Sequence, residues 1–263
     1  MDHWYAPVGN DRYLATATTA GPWDPGAQHG GPPAALLARA LEATAPRPEM
    51  MFARLAYEIL GPVPVAEVTV RSAVTRPGRS VELLTAVLAA GGRDVMSVHA
   101  WRILRTDDAT ALAAGQAAAD AGQPTPPKPP PPTERRDRNA TSGYLSSVDW
   151  SGVHGAFGEP GPAACWTRLR GEVVAGERPS ALQRVVAAAD SGNGMSGLLP
   201  MATHWFINPE LTVHLHREAR GEWVLLDAMT SVDAGGVGLA TSVLSDLDGP
   251  VARGAQSLLV APR

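Results

Sequence analysis

Three polar residues in the second half of this chain stand where the first half has apolar or small residues. They are Asp190 at the end of an apolar helix, Asn208 ahead of a strand, and Gln256 in the last strand. Aligned on the repeated elements, these positions pair with Ala40, Phe52 and Ala100. A carboxylate can exchange a proton, and side-chain amides can both donate and accept hydrogen bonds. These positions are therefore the first candidates for chemistry.

A second candidate group opens the first apolar helix, which the pattern predicts over residues 34–44. The residues His29, Gly30 and Gly31 precede it, and the prolines that follow fit a first helical turn, where a missing N–H costs nothing. The backbone N–H of Gly30 or Gly31 can polarise a carbonyl group, because glycine permits close approach and the helix dipole favours negative charge. This helix start is therefore a predicted binding position.

The elements that must position these residues repeat along the chain. In each half an apolar helix is followed by strands with period-two alternation, such as residues 67–71 and 211–216. The first strand is predicted over residues 13–20. An Ala-rich and then Pro-rich stretch, typical of a semi-rigid spacer, separates the halves. We predict an N-terminal repeat over residues 1–105, an Ala/Pro-rich linker over 106–145 and a C-terminal repeat over 146–263.

Composition limits the classes of protein to which the chain can belong. Its 263 residues suit two domains, 44% of them are hydrophobic, and the net charge is −4. No basic patch stands out, so nucleic acid is a poor partner. No apolar stretch approaches the ~18 residues of a membrane span, and the first residues lack a signal-peptide pattern. These patterns predict a cytoplasmic protein without a membrane span.

Other reactive residues carry weaker signals. Cys165 is the single cysteine and is predicted to be a small buried residue rather than a nucleophile. His204, His214 and His216 suggest a metal, but no third ligand joins the last two at a compatible spacing. Residues 235–238 are not a dinucleotide loop, because they precede a strand, and a Gly-x-Ser-x-Gly motif is absent from the sequence. We therefore expect neither a metal nor a cofactor.

Four longer motifs, taken together in their order and spacing, are more informative than any one of them. They are Gln28-His29-Gly30-Gly31, Asn208-Pro209-Glu210-Leu211-Thr212-Val213-His214-Leu215-His216-Arg217, Glu222-Trp223-Val224-Leu225-Leu226 and Gly254-Ala255-Gln256-Ser257-Leu258-Leu259-Val260. Together they resemble the acyl-CoA thioesterase II (TesB-like) family, over most of the chain outside the linker. The resemblance implies an α+β double hotdog fold, with two tandem hotdog repeats that each wrap an antiparallel β-sheet around a long central helix.

The resemblance also implies an activity, the hydrolysis of acyl-CoA thioesters to free acid and CoA. The family's Asp on the second central helix, polar residue at the next strand and Gln on the last strand carry over to Asp190, Asn208 and Gln256. In that interpretation Asp190 accepts a proton from water that Asn208 and Gln256 hold, while a helix-start amide polarises the thioester carbonyl.

Substrate binding follows from the same resemblance. Asn208 departs from the Thr of the family pattern, and nearby Thr212 is the second candidate for that role. The predicted substrate-binding residues are His29, Gly30, Gly31 and Thr212. Acyl-CoA is the predicted ligand. Sheet edges of hotdog units need covering, which favours a homodimer or a higher homo-oligomer.

Two other functions remain open. A hotdog enoyl-CoA hydratase carries an Asp two residues before an Asn-Pro pair and a His two residues after the Pro. In this chain Phe206 and Leu211 occupy those positions, which weakens that alternative. The other alternative is a non-catalytic acyl-CoA binding protein, which the Asn in place of Thr permits.

Overall fold

A computed structural model describes residues 2–106, 109–120, 125–129 and 143–263, and they form an α+β structure. Much of the Pro-rich part of the predicted linker lies outside the described residues. The helices are α1 (Gly31–Ala43), α2 (Ala109–Asp120), α3 (Gly143–Ser146), α4 (Ala181–Ala189) and α5 (Gly192–Met195). The strands are β1 (His3–Gly9), β2 (Arg12–Ala15), β3 (Met50–Ile59), β4 (Glu67–Arg76), β5 (Val81–Ala90), β6 (Arg93–Leu104), β7 (Val148–His154), β8 (Ala163–Leu169), β9 (Glu172–Val174), β10 (His204–Ile207), β11 (Glu210–Leu215), β12 (Val224–Val232), β13 (Val237–Asp246) and β14 (Gly249–Pro262).

The fourteen strands form one sheet whose order repeats. It runs β7-β8-β12-β13-β14-β11-β3-β6-β5-β4-β2-β1-β9, and β10 also pairs with β14. From the central antiparallel β11–β3 pair outward, the second half reads 11, 14, 13, 12, 8, 7 and the first half 3, 6, 5, 4, 2, 1. Each strand of one half thus has a counterpart at the same place in the strand order of the other half. At the outer edge β1 pairs in parallel with β9, so the start of the chain joins a strand of the second half.

The strand register agrees with the alignment of the two halves. Leu84 pairs with Ala100 between β5 and β6, and Ala240 pairs with Gln256 between β13 and β14. Both residues of the second pair follow their counterparts by 156 positions. Gln256 therefore takes the place of a small residue at one buried position of a repeated pattern.

The central helices α1 and α4 pack against each other and on one face of the sheet. Residues 31–38 and Leu41 of α1 are all buried, so the first two turns of this helix are enclosed by the rest of the structure. Its alanines and glycine permit the close approach. Leu36, Leu37 and Leu41 are each no more than 1% exposed, and burying a leucine contributes about 1.5–3 kcal/mol. The contact between α1 and α4 thus fixes the end of each helix relative to the start of the other.

Two local expectations need correction, and one strand was not predicted. The strand predicted over residues 13–20 is shorter, because β2 ends at Ala15 and a 3-10 turn follows at Ala17–Thr19. The hairpin strand before it, β1, was not predicted; its turn uses Asn10 and Asp11 with φ of 53° and 56°, a conformation these side chains tolerate. The Ala-rich start of the predicted semi-rigid linker is the helix α2, since alanine has the highest helix propensity.

The helices in the described ranges include none with the length and apolar character that crossing a membrane requires.

Candidate active site

The predicted residues His29, Gly30, Asp190 and Asn208 come together where the end of α4 lies against the start of α1. Asp190 follows α4 as its C-cap, with helical backbone angles of φ −65° and ψ −19°. Its carboxylate faces Gly30, the N-cap of α1. The negative C-terminal end of the α4 dipole destabilises the charge of this carboxylate. The positive N-terminal end of the α1 dipole stabilises it. Asp190 is only 4% exposed, so its charge depends on neighbouring groups rather than on water.

Two glycines make this close contact possible. A Cβ on Gly30 would lie 2.7 Å from Oδ2 and 2.8 Å from Oδ1 of Asp190, distances that no side chain tolerates. A Cβ on Gly31 would lie 2.9 Å from the carbonyl oxygen of Ala187 in α4. Gly30 has an ordinary φ of −66°, so space rather than backbone angle requires glycine there.

Both oxygens of the Asp190 carboxylate have partners. Oδ2 lies 2.9 Å from Nδ1 of His29, and Oδ1 accepts a 3.1 Å hydrogen bond from Nδ2 of Asn208. Asn208 also donates a longer bond of 3.4 Å to the carbonyl of Glu210 on β11. Residues predicted from distant parts of the chain therefore meet at one carboxylate.

The hydrogen bonding of His29 indicates which ring nitrogen carries the proton. Nδ1 lies within 3.1 Å of the Gly31 amide as well as beside Asp190. One ring nitrogen cannot accept from the amide and donate to the carboxylate at the same time. With Asp190 ionised, we assign Nδ1–H as the donor to Oδ2, and the Gly31 amide is directed at the same pair.

The pKa of Asp190 lies below its ordinary value although the group is buried. Burial is the largest influence, and alone it would raise the pKa of Asp190 by disfavouring the charged form. The positive charge of His29, hydrogen bonds from His29 and Asn208, and the Gly31 amide act in the opposite direction and together outweigh it. The carboxylate is therefore ionised at neutral pH.

The Tyr144 ring packs against the His29 ring. The sequence analysis did not predict this residue as part of the site. The two rings stack with centroids 4.0 Å apart and planes 16° apart. The Tyr144 hydroxyl donates a 2.8 Å bond to the carbonyl of Ala187 and lies 3.2 Å from the Ser191 hydroxyl. Burial raises the pKa of Tyr144, so this hydroxyl stays protonated. Its position within the predicted linker, beside a Pro-rich run, concealed its role.

Gln256 lies at the site but does not touch the Asp190 carboxylate. Its Nε2 donates a 3.2 Å bond to the backbone carbonyl of Asp190, and its Oε1 accepts a 3.1 Å bond from the Asn193 amide. The side chain is 2% exposed and bridges the end of α4 and the start of α5. These two hydrogen bonds fix the backbone of Asp190 relative to that of Asn193.

The Thr212 side chain makes no hydrogen bond to the other predicted residues, all of which lie in the described ranges. Its hydroxyl donates a 3.3 Å bond to the carboxylate of Glu210, and it pairs with Ala56 and Ala255 in the sheet. Asn208, two residues before β11, supplies the side chain that reaches Asp190. Asn208, which stands where the family pattern has Thr, is therefore the residue that contacts the Asp190 carboxylate.

A cavity of about 500 Å³ opens beside this junction. Its polar end includes His29, Gly30, Asp190 and Asn208, whereas Gly31, Thr212 and Gln256 are not among the described residues that line it. The remaining wall is largely apolar and contains five aromatic side chains: Trp23, Trp150, Phe157, Trp205 and Phe206. Sequence reasoning missed these rings, although Trp205 and Phe206 come just before Asn208. The arrangement places a buried carboxylate at one end of a largely apolar cavity.

Other candidate groups lie outside this chemistry. Cys165 is 1% exposed, and burial raises the pKa of its thiol to about 12, so the predicted buried residue is confirmed. In the part of the chain that the structure describes, His, Cys, Asp and Glu side chains form no group of three suited to a metal ion.

Several solved structures share this fold at low sequence identity. A hot dog fold protein of unknown function from Alicyclobacillus acidocaldarius is 15% identical, with a TM-score of 0.72 over 95% of this chain and 92% of its own. Acyl-CoA thioesterase II TesB2 from Mycobacterium marinum is 16% identical, with a TM-score of 0.67 over 98% of this chain and 95% of its own. The tesB protein of Mycobacterium avium subs paratuberculosis is 15% identical, with a TM-score of 0.66 over 98% and 96%. These likenesses show a hotdog fold.

Comparisons of the sequence itself identify the family. No curated protein matches the chain. The family model of the acyl-CoA thioesterase N-terminal domain matches residues 19–103, and that of the acyl-CoA thioesterase C-terminal domain matches residues 118–260. Since these two models together match most of its length, the chain belongs to the acyl-CoA thioesterase family.

Proposed function

We propose that this protein hydrolyses acyl-CoA thioesters to free acid and CoA, using a water molecule activated at Asp190. The observation that carries the proposal is the buried, ionised carboxylate, bound by His29 and Asn208 at the polar end of an apolar cavity. Membership of the acyl-CoA thioesterase family supports the same reaction class.

The proposed reaction needs no covalent acyl-enzyme. A water molecule held by Asp190 and the side-chain oxygen of Asn208 attacks the thioester carbonyl carbon, and one of its protons passes to the His29–Asp190 pair. As the tetrahedral intermediate collapses, the C–S bond breaks and the pair returns that proton to the leaving CoA thiolate. The second water proton leaves with the carboxylic acid.

The start of α1 is the proposed oxyanion site. Pro32 and Pro33 have no N–H groups, so the first turn offers the amides of Gly30 and Gly31, and no side chain caps it. The Gly31 amide is directed at His29 and Asp190, which leaves the Gly30 amide for the thioester oxygen. Removing one such donor typically costs ~10²–10³ in kcat.

The other predicted residues take supporting roles in this proposal. Asn208 orients Asp190 and the water, and Gln256 positions the Asp190 backbone through its bond to that carbonyl. His29 completes the proton-accepting pair at the substrate-binding end of the cavity. Contact between Thr212 and substrate stays a prediction, since its hydroxyl bonds Glu210.

The architecture proposed for this activity is a double hotdog. We assign one repeat to residues 1–105 and the other to residues 146–263, with residues 106–145 between them; the repeated strand order and the α1–α4 contact support this division. Assembly as a homodimer or higher homo-oligomer stays a prediction that light scattering coupled to gel filtration would check.

The decisive test is thiol release from a series of acyl-CoAs by the wild type and by Asp190→Asn. Loss of a general base lowers turnover by about 10²–10⁴, and the amide retains the shape of the side chain. Glu42→Gln, at the opposite helix junction, is the matched control and keeps wild-type turnover. Wild-type turnover in Asp190→Asn would defeat the proposal. Binding of acyl-CoA without release from any ester would instead indicate a non-catalytic binding protein.

A further inference from the structure

Half of the tryptophan and phenylalanine residues of this chain line the cavity beside Asp190. The sequence has seven Trp and three Phe, and five of these ten lie in the wall: Trp23, Trp150, Phe157, Trp205 and Phe206. The wall comprises 27 residues, about a tenth of the 263 in the chain. The concentration of rings is therefore a property of this cavity and not of the composition.

Three of these rings form a mutually supported group. The Trp23 ring meets Phe206 edge to face at 4.7 Å and 76°, and it meets Trp205 at 5.3 Å and 49°. The Arg263 guanidinium lies 4.0 Å from the centre of the Trp205 ring, and its backbone amide donates a 3.0 Å bond to Thr203. The rings are thus fixed by contacts with one another, which favours a ligand of matching rigid shape.

The charges around the cavity restrict the ligand further. Its ionisable lining residues are Asp24, His29 and Asp190, and the described lining contains neither lysine nor arginine. His29 is already bonded to Asp190. A second carboxylate on the acyl group would be placed near Asp24 and Asp190, and the desolvation of the added charge makes this costly. An uncharged acyl group fits this environment.

From these observations, and resting on the proposed function, we propose that the preferred substrate carries an aromatic acyl group joined to the thioester by a short linker, without a second carboxylate. Contacts between rings contribute beyond the area they bury, by roughly two- to tenfold in affinity. A ring also loses less conformational freedom on binding than a flexible alkyl chain with the same number of carbons.

The test compares kcat/KM for three CoA thioesters with uncharged eight-carbon acyl groups: phenylacetyl-CoA, cyclohexylacetyl-CoA and octanoyl-CoA. We expect a preference of roughly two- to tenfold for phenylacetyl-CoA over each of the others. Succinyl-CoA is the poorest substrate. Trp23→Leu brings the ratios close to one, because it removes the ring at the centre of the group. Trp101→Leu, on β6 outside the cavity lining, keeps the wild-type ratios.

The outcomes separate this inference from the proposed function. Hydrolysis that depends on Asp190 but favours octanoyl-CoA, or ratios that survive Trp23→Leu, overturns the aromatic preference and leaves the thioesterase proposal intact. If no ester is hydrolysed, intrinsic tryptophan fluorescence measures binding of two thioethers, 2-phenylethyl-CoA and octyl-CoA. Tighter binding of the phenylethyl compound by the wild type but not by Trp23→Leu supports the aromatic site without hydrolysis. Equal binding overturns it.

Discussion

Each central helix ends against the start of the other, yet the two junctions are built differently. At the end of α1, the half-buried Glu42 accepts hydrogen bonds from the Ser180 hydroxyl at 2.9 Å and from Gln183 Nε2 at 2.8 Å. Ser180 also caps α4, because its Oγ accepts a 3.1 Å bond from the Gln183 amide. At the end of α4, Asp190 faces a helix start that has no side-chain cap. One junction has its polar groups satisfied by side chains, and the other leaves an amide available.

The pKa values of the two carboxyl groups move in opposite directions. Burial is the largest influence at Glu42 and raises its pKa, since the bonds from Gln183 and Ser180 oppose burial only in part. At Asp190 burial acts in the same direction, but the charge and hydrogen bonds of His29, with Asn208 and Gly31, lower the pKa overall. The interactions with His29, Asn208 and Gly31 therefore distinguish the junction at Asp190, which holds an ionised carboxylate, from the junction at Glu42.

Gly30→Ala is expected to have the largest effect on this difference. The added methyl group would lie 2.7 Å from Asp190 Oδ2, so either the carboxylate or the helix must move. Displacing both the base and the proposed oxyanion donor lowers kcat/KM by on the order of 10²-fold or more. Steady-state kinetics with an acyl-CoA, together with circular dichroism to check folding, measures this. A folded variant with wild-type kinetics would mean that the contact has no part in catalysis.

His29→Gln makes the two junctions more alike. Removing the cation leaves burial as the main influence, so the pKa of Asp190 rises from its lowered value. In the wild type the stability from ionised Asp190 is present above the ordinary Asp pKa and is lost as pH falls through the lowered folded-state pKa. In the variant this stabilisation is smaller, because the folded-state pKa has moved toward or above the ordinary Asp value.

Carbon-13 NMR titration of the aspartate carboxyl groups, with Asp190→Asn for assignment, gives the direction of this shift. We also expect the acid limb of kcat/KM that reports Asp190 to move to higher pH in His29→Gln. An Asp190 resonance that titrates at the same pH in both proteins would exclude His29 as the cause of the lowered pKa.

Ser180→Ala tests the capped junction. The substitution removes the N-cap bond of α4 and one partner of Glu42. Loss of a helix N-cap costs about 0.5–2 kcal/mol of stability, and turnover per folded molecule stays at the wild-type level. Urea unfolding and kinetics on the same preparation measure both quantities. A fall in turnover with unchanged stability would place catalysis at this junction as well.

Glu42→Gln has the smallest expected effect, and its sign is opposite to that of a lost ion pair. Because the folded-state pKa of Glu42 is raised, folding stability declines as pH rises above the ordinary Glu pKa. The variant lacks this decline, so its stability relative to the wild type increases from acidic to neutral pH. Thermal unfolding across that range would contradict the assignment if the difference stayed constant or reversed.

The sequence predicted the parts of the site that have local signals. Prolines in a first turn and glycines before it located the start of α1, and a polar residue after an apolar run located Asp190. The alignment of the halves also placed Gln256 at the correct register position. These features depend on neighbours in the chain or on a repeated pattern, which a sequence can display.

The remaining features arise from contacts between distant segments. Tyr144 stacks on His29 although more than a hundred residues separate them in the sequence. The rings of Trp23 and Trp205 are also in contact across a long separation in the sequence. Gln256 bonds the Asp190 backbone, and no periodicity distinguishes that partner from the carboxylate. Such pairings are set when the sheet closes around both helices, and residue types alone did not predict them.

The junction proposed to be the active site takes His29 and Gly30 from the first half of the chain and Asp190 and Asn208 from the second. In a two-fold assembly of identical half-length chains, every substitution would appear at both junctions. In this chain both halves lie on one polypeptide, so a substitution changes a single junction. A mutation that improved catalysis at Asp190 would leave the bonds around Glu42 untouched, and selection can act on reactivity and on stability at separate places.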